Sequence, residues 1–281
     1  MALILKGAPV VSALNKEIAD EVVSLKARDV RPTLAIVRVG AREDDIAYER
    51  GVINRCSKLG VQTRQLNLPA DCTEESLINT LQGLNTDNMV HGVLLFRPLP
   101  KHLNDDKIRN TLAVRKDIDG ITDLSLAGVF AGTNTGFAPC TAQACMEILD
   151  FYDIDLKGKK AVVIGRSLVV GKPAAMMLLG KHATVTMCHT RTYNMSEECK
   201  RAEILIVSAG RPKIIDKNYL SPGQVIIDVG INVLEDGVCG DVDFDAVQEG
   251  AITPVPGGVG TVTTSVLIKH VVRASQKSVE T

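Results

Sequence analysis

Apolar residues in the first third of the chain change their spacing repeatedly. Val10, Ala13, Leu14, Ile18, Val22 and Leu25 recur at helical intervals after Pro9 and predict an amphipathic helix over residues 9–27. Apolar runs then predict a strand at 34–39, a helix at 44–59, a strand at 61–66 and a helix at 73–84. Thr73-Glu74-Glu75-Ser76 caps that helix, and a buried strand follows at 92–96. Strands alternating with helices bury both faces of a sheet, so the series predicts parallel βαβ units. Residues 125–139, rich in Gly, Thr and Asn, break the rhythm and are expected to form an interdomain crossing.

A second series follows the same logic. It comprises a helix at 141–152, a strand at 160–164, a glycine loop, a helix at 170–180 and a strand at 184–188. A short helix from Ser196 and strands at 204–208 and 224–228 complete it. Thr253-Pro254-Val255-Pro256-Gly257-Gly258-Val259-Gly260 then gives way to a closing helix near 263–273. The fold class is therefore α/β with two domains, residues 1–140 and 141–262, the second of Rossmann type.

The 281 residues carry 32 basic and 33 acidic side chains, a net charge of −1, and 45% of them are hydrophobic. Such a chain buries a large core, which excludes disorder. Balanced charge argues against nucleic acid, and aromatics at 3% with no tryptophan leave no stacking platform for single strands. Apolar runs such as 90–96 fall far short of the roughly 20 residues that span a bilayer, so no membrane is expected. The first residues show no basic region followed by a long apolar stretch, so export is not expected, and the seven cysteines are scattered and never spaced Cys-x-x-Cys. They are expected to be reduced thiols of a cytoplasmic protein, with no disulfide framework and no metal site.

In the second domain a strand runs into Gly165-Arg166-Ser167-Leu168-Val169-Val170-Gly171-Lys172-Pro173 and then a helix. Helix N-terminal amides and glycine's close backbone approach suit a phosphate there. Gly-x-Gly-x-x-Gly is absent. A P-loop is disfavoured because five residues separate the glycines and Pro173 follows Lys172, leaving no hydroxyl for Mg²⁺. The next strand ends in Cys188-His189-Thr190-Arg191-Thr192, with no acid for a ribose 2′-hydroxyl. Thr190 and Arg191, with Arg166, suit the 2′-phosphate of NADP, the alternative being solvated surface arginines.

Three clusters stand out in the first domain. Tyr48 lies early in a helix after Val39-Gly40-Ala41-Arg42-Glu43-Asp44-Asp45, Phe96-Arg97-Pro98-Leu99-Pro100 follows a buried strand, and Lys116-Asp117-Ile118-Asp119-Gly120 offers carboxylates in a loop. Strand ends in open α/β sheets are where ligands bind. Each cluster has a plainer reading, as packing, a stiff connection or a turn.

Taken together with Pro139-Cys140-Thr141, Cys188-His189-Thr190 and Pro256-Gly257-Gly258-Val259-Gly260, these motifs resemble, in order and spacing, the methylenetetrahydrofolate dehydrogenase/cyclohydrolases over nearly the whole chain. The resemblance implies a folate-binding domain at 1–140, a cleft between the two domains, helix 263–281 returning to the first, and a homodimer. It implies NADP-dependent oxidation of 5,10-methylenetetrahydrofolate to the methenyl cation, then hydrolysis to 10-formyltetrahydrofolate, within one-carbon metabolism and purine biosynthesis. Tyr48 and Asp119 would be catalytic, the first stacking on folate and the second bonding the pterin. Phe96, Arg97, Pro98, Leu99, Pro256 and Gly257 would complete the substrate site. Gly165, Arg166, Ser167, Val170, Gly171, Lys172, His189, Thr190, Arg191 and Ile231 would hold NADP.

The chain departs from the family pattern at informative places. Val52 stands one helical turn after Tyr48 where members carry a lysine, and Phe96 replaces the glutamine that bonds it. Ala142 and Thr261 replace common prolines. Hydride transfer needs mainly alignment, whereas ring hydrolysis needs proton transfer, so a competent dehydrogenase with impaired or rerouted hydrolysis is expected. Arg97 stays protonated, and Glu49 or Lys101 is left as a substitute base. The rivals are another two-domain NADP dehydrogenase of shikimate or amino-acid type, and a non-catalytic nucleotide-binding protein.

Overall fold

The computed structural model describes residues 1–235 and 237–278. In chain order the elements begin β1 (Leu3–Ile4), α1 (Gly7–Lys26), β2 (Thr33–Val39), α2 (Glu43–Leu59), β3 (Gln62–Leu68), α3 (Glu74–Thr86), β4 (Gly92–Leu95), α4 (Asp105–Arg109), α5 (Asp123–Ala131) and α6 (Cys140–Phe151). They continue as β5 (Lys160–Ile164), α7 (Gly171–Gly180), β6 (Thr184–Cys188), α8 (Met195–Arg201), β7 (Ile204–Val207), β8 (Val225–Asp228), β9 (Asn232–Leu234), β10 (Gly237–Cys239), β11 (Ala251–Ile252) and α9 (Val259–Lys277). The chain folds into two compact units. No described helix is long and apolar enough to cross a membrane.

One unit comprises Ala13–Ala138 and the chain from Thr264 onward. Its sheet is parallel, in the order β3-β2-β4. Every residue of β2 is buried, as a strand covered on both faces must be, whereas edge strand β3 has no buried position. Helix α9 packs here through Val266, Leu267, Val271 and Val272, and Gly92 makes room for it: a Cβ there would lie 2.7 Å from Ile118 and 3.1 Å from Val271. Ser265 accepts from Arg55 Nη1 (2.7 Å) and donates to Asn15 (2.9 Å), fastening α9 to α1 and α2. Residues 279–281 of the helix expected at 263–281 lie outside the described residues.

Two expectations need correcting. The stretch 125–139 is not wholly a crossing, because α5 occupies its first half. Thr122 accepts from Ser125 N at 3.1 Å and Gly132 closes the helix at φ +65°, so good caps offset a glycine-containing interior. The first twelve residues, expected in the first domain, join the other unit, Met1–Ser12 with Pro139–Thr263. The reason is the β1 ladder to β11, which pairs Leu3 with Ala251 and Ile4 with Ile252. A two-residue strand carries no periodicity to read.

That second unit holds a six-stranded parallel sheet, ordered β6-β5-β7-β8-β11-β1. After β6 the chain crosses back to the other side of β5. The direction of winding therefore reverses there, and a crevice opens outside the carboxyl ends of β5 and β7.

Candidate functional site

The crevice is shaped by glycines that cannot be replaced. Gly165, immediately after β5, has φ +118°, and a Cβ on it would run into the Ser208 carbonyl at the end of β7. Gly171 opens α7 against the Gly165 carbonyl, where again no Cβ fits. Ser167 ties this turn to the helix, its Oγ accepting from Val170 N (3.1 Å) and its carbonyl from Lys172 N (3.0 Å). A cavity of 560 Å³ results, beside the N-terminus of α7 with its outward amides.

Four of the ten expected cofactor residues line this cavity, namely Gly165, Arg166, His189 and Thr190. Ser167, Val170 and Gly171 instead build the turn. Lys172 and Arg191 are exposed outside the lining, and Ile231 lies 65% exposed just ahead of β9. Residues 189–192 close on themselves, His189 N donating to Thr192 Oγ1 (2.8 Å) and Arg191 N to His189 Nδ1 (3.1 Å). Among the described residues no acidic side chain lines the cavity, while Arg166 and Arg211 do.

Sequence reading missed Ser208, Ala209, Arg211 and Tyr219, which complete the wall. It also missed what holds them. The carboxylate of Asp241, wholly buried, accepts from Ala209 N (2.6 Å), Gly210 N (2.8 Å), Arg211 N (2.9 Å) and Asn232 Nδ2 (2.9 Å). Its neighbour Asp228 accepts from Gly230 N, Asp241 N and Val242 N, yet burial pushes its pKa up to about 6. Acids flanked by glycine in Gly240-Asp241 and Asp228-Val229-Gly230 were the available signal.

In the three-stranded unit Tyr48 is 40% exposed on the second turn of α2, its ring edge-on to Phe96 with centroids 5.8 Å apart. Phe96 is buried just beyond β4. The Arg97–Pro98 peptide is cis, Arg97 pairs with Asp105 (Nε to Oδ1, 2.8 Å), and Leu99 packs on the core. Val52 is completely buried. Glu49 is buried too, one oxygen taking Arg38 Nε (2.7 Å) and the other Gln65 Nε2 (3.1 Å). Both carboxylate oxygens are therefore taken up by hydrogen bonds inside the fold. Lys101 is exposed.

The loop around Asp119 is built by its neighbours. Lys116 Nζ donates to the carbonyls of Leu84 and Asp87 (both 2.6 Å). Buried Asp117 accepts from Ile121 N (3.0 Å), Thr122 N (2.8 Å) and Ser125 Oγ (2.6 Å), and a bridge to Val93 sets the loop beside β4. His270 of α9 donates from Nδ1 to the Ile118 carbonyl (2.8 Å), leaving Asp119 half-buried before Gly120 at φ +65°. Pro256, after a cis peptide, and Gly257, at φ +103°, lie in the six-stranded unit, where the Gly257 carbonyl accepts from Gly7 N (2.8 Å). No group of three or more His, Cys, Asp or Glu among the described residues could hold a metal.

Comparison with known proteins covers both units. The description "Tetrahydrofolate dehydrogenase/cyclohydrolase, catalytic domain" matches residues 5–119, and its NAD(P)-binding domain matches 139–279. "Bifunctional protein FolD" of Clostridioides difficile is 50% identical over 274 residues, 96% of each chain. The crystal structure of bifunctional FolD from Campylobacter jejuni superposes with TM-score 0.96 at 35% identity, covering 99% of each chain. The Trypanosoma brucei dehydrogenase-cyclohydrolase, complexed with NADP and inhibitor, gives 0.93 at 31% identity over 100% of this chain and 99% of its own. Matched along its whole length in both units, the chain belongs to the tetrahydrofolate dehydrogenase/cyclohydrolase family.

Proposed function

We propose that this chain oxidises 5,10-methylenetetrahydrofolate to 5,10-methenyltetrahydrofolate with NADP, and that hydrolysis to 10-formyltetrahydrofolate is its second and slower activity. The observation that carries this reading is the 560 Å³ cavity at the β5–β7 reversal, walled by glycine turns, basic at its rim and without an acid. NADP fits it: the amides at the start of α7 suit the pyrophosphate, and Arg166, Arg211 and Thr190 suit the 2′-phosphate. Bound there, NADP supplies the hydride acceptor. Family membership gives no support to the shikimate-type and non-catalytic rivals.

The rest of the chemistry falls to the chain. Tyr48, braced by Phe96, offers a ring face or edge to a pteridine, and the Arg97–Leu99 turn borders it. Asp119 places a carboxylate near a ring that becomes cationic, which lowers the barrier to oxidation. For hydrolysis a proton acceptor is needed; Val52 has none to offer, and both Glu49 oxygens are already hydrogen-bonded. The step is expected to run about 10²- to 10⁴-fold below that of a lysine-bearing relative. Exposed Val233 and Val238 on the β9–β10 hairpin support a homodimer. Six buried thiols support a cytoplasmic setting, and balanced charge argues against nucleic acid as a partner.

Two assays test this reading. NADP reduction with methylenetetrahydrofolate should be prompt, and its absence would overturn the dehydrogenase assignment. Methenyltetrahydrofolate decay, followed where spontaneous hydrolysis is slow, should be accelerated only weakly; acceleration matching a lysine-bearing relative would overturn the weak hydrolase. Val52→Lys with Phe96→Gln should raise the decay rate more than Val52→Lys alone, because a lone buried ammonium lacks the amide oxygen that would satisfy it.

A further inference from the structure

A second cavity, of 580 Å³, lies wholly within the three-stranded unit and is used by none of the chemistry above. It sits at the amino-terminal edge of the sheet, since His91 immediately precedes β4 and Phe96 follows it. Asn88, His91, Arg115, Lys116 and Lys277 supply its polar lining, and among the described residues no carboxylate does. Lys116 places two of its three ammonium protons on backbone carbonyls, so it contributes chiefly charge. Other donors are left over. Thr33 N donates to His91 Nδ1 (3.2 Å), which puts the imidazole proton on Nε2. Among the described residues Arg115 uses only Nη2, on the Asn85 carbonyl (2.7 Å), leaving Nε and Nη1, and the Asn88 side-chain amide has no partner. The Lys277 ammonium, 5.1 Å from the Phe137 ring centre, adds positive charge rather than a spare donor.

Unspent N–H groups and positive charge gathered in a pocket of ligand size describe an anion receptor. We propose that this cavity is a binding site for a small organic polyanion carrying carboxylate or phosphate groups. Arg115 is its principal ligand, His91 Nε2 and the Asn88 amide are further donors, and Lys116 and Lys277 supply the field. The site is independent of the reading of the cofactor cavity. The charged groups facing His91 are Lys116, Arg115 and Lys277, with Asp87 behind them already paired to Arg64 (2.8 Å). Burial first, and then the Lys116 charge, hold the His91 pKa below its ordinary value, Asp87 acting the other way. A bound anion should reverse that direction.

The test uses the full chain saturated with NADP, so that basic groups around the cofactor are occupied. Citrate is the first probe and inorganic phosphate the second, each at constant ionic strength. The His91 imidazole resonance, assigned with His91→Gln, should shift saturably and its titration midpoint should rise. Arg115→Gln should weaken binding roughly tenfold, as loss of a charge-assisted ligand does, while Lys101→Gln leaves it unchanged. Because Arg115 is exposed, the variant is expected to fold, and unchanged dehydrogenase turnover checks that it does. A response to citrate alone assigns the site to carboxylates, and a response to phosphate alone to phosphates. If sodium chloride of equal ionic strength reproduces the shift, or Arg115→Gln binds as tightly as the parent, the proposal is overturned.

Discussion

Asp241 shapes a cavity that it does not line. Its two oxygens gather three successive backbone N–H groups of residues 209–211, and Gly210 at φ +65° lets the chain curl around them. Replacing Asp241 with Asn turns one acceptor into a donor facing other donors, which costs about 1–3 kcal/mol locally and loosens the wall bearing Ala209 and Arg211. The expected outcome is a KM for NADP raised by about tenfold, with kcat at saturating NADP and the KM for folate within about twofold. A fall in kcat at unchanged NADP affinity would refute a positioning role. Residues of this kind leave only an ambiguous signal in sequence, because an aspartate after glycine looks the same whether it turns a loop or clamps one. That Gly165, Arg166, His189 and Thr190 gather at the carboxyl ends of β5 and β6 was legible, by contrast, because strand, glycine and strand end name a place in the fold.

Among the elements, those with strong caps or long apolar runs were read nearly to the residue. The Thr73 cap of α3 is present as expected, its side chain accepting from Ser76 N at 3.1 Å. Thr73→Ala should lower stability by about 1 kcal/mol in denaturant titration, and a change near zero would mean that Leu77, Leu81 and Leu84 alone hold the helix. Helix α5 escaped notice because Gly128 lowers its propensity, and the close approach of Thr135 that requires this glycine is tertiary. Strands β1 and β11 escaped as well, being two residues each. Their pairing is a contact across nearly the whole chain.

At the scale of the molecule the two units respond to acid in opposite directions. Asp228, in the six-stranded unit, has its pKa raised to about 6 by burial, so the folded state holds its proton more tightly than the unfolded chain does. Its contribution is complete below pH about 4 and is lost as pH rises through 6, a loss of about 3 kcal/mol. His270, in the other unit, has its pKa lowered to about 4, chiefly by burial, so acidification through pH 6.5 and below protonates the unfolded chain first and destabilises that unit. Opening free energies from hydrogen exchange should therefore rise for β5 and β7 and fall for β2 and β4 between pH 7 and pH 5. Asp228→Asn should flatten the first trend alone and His270→Gln the second alone. A common direction in both units would refute this account.

The chain's own pattern determined the class of fold, the order of most elements, the glycine turn and the absence of an acid after β6, because each is a local property set by periodicity, sterics or a single strand end. Tertiary structure alone decided that the first twelve residues complete the six-stranded sheet and that Glu49 is locked to Arg38 and Gln65. It alone decided that Asp117 builds the loop on which Asp119 is carried, and that Asp241 shapes the wall of the 560 Å³ cavity. Those outcomes depend on which buried donors meet which acceptors across long separations, and spacing along a chain does not encode such meetings.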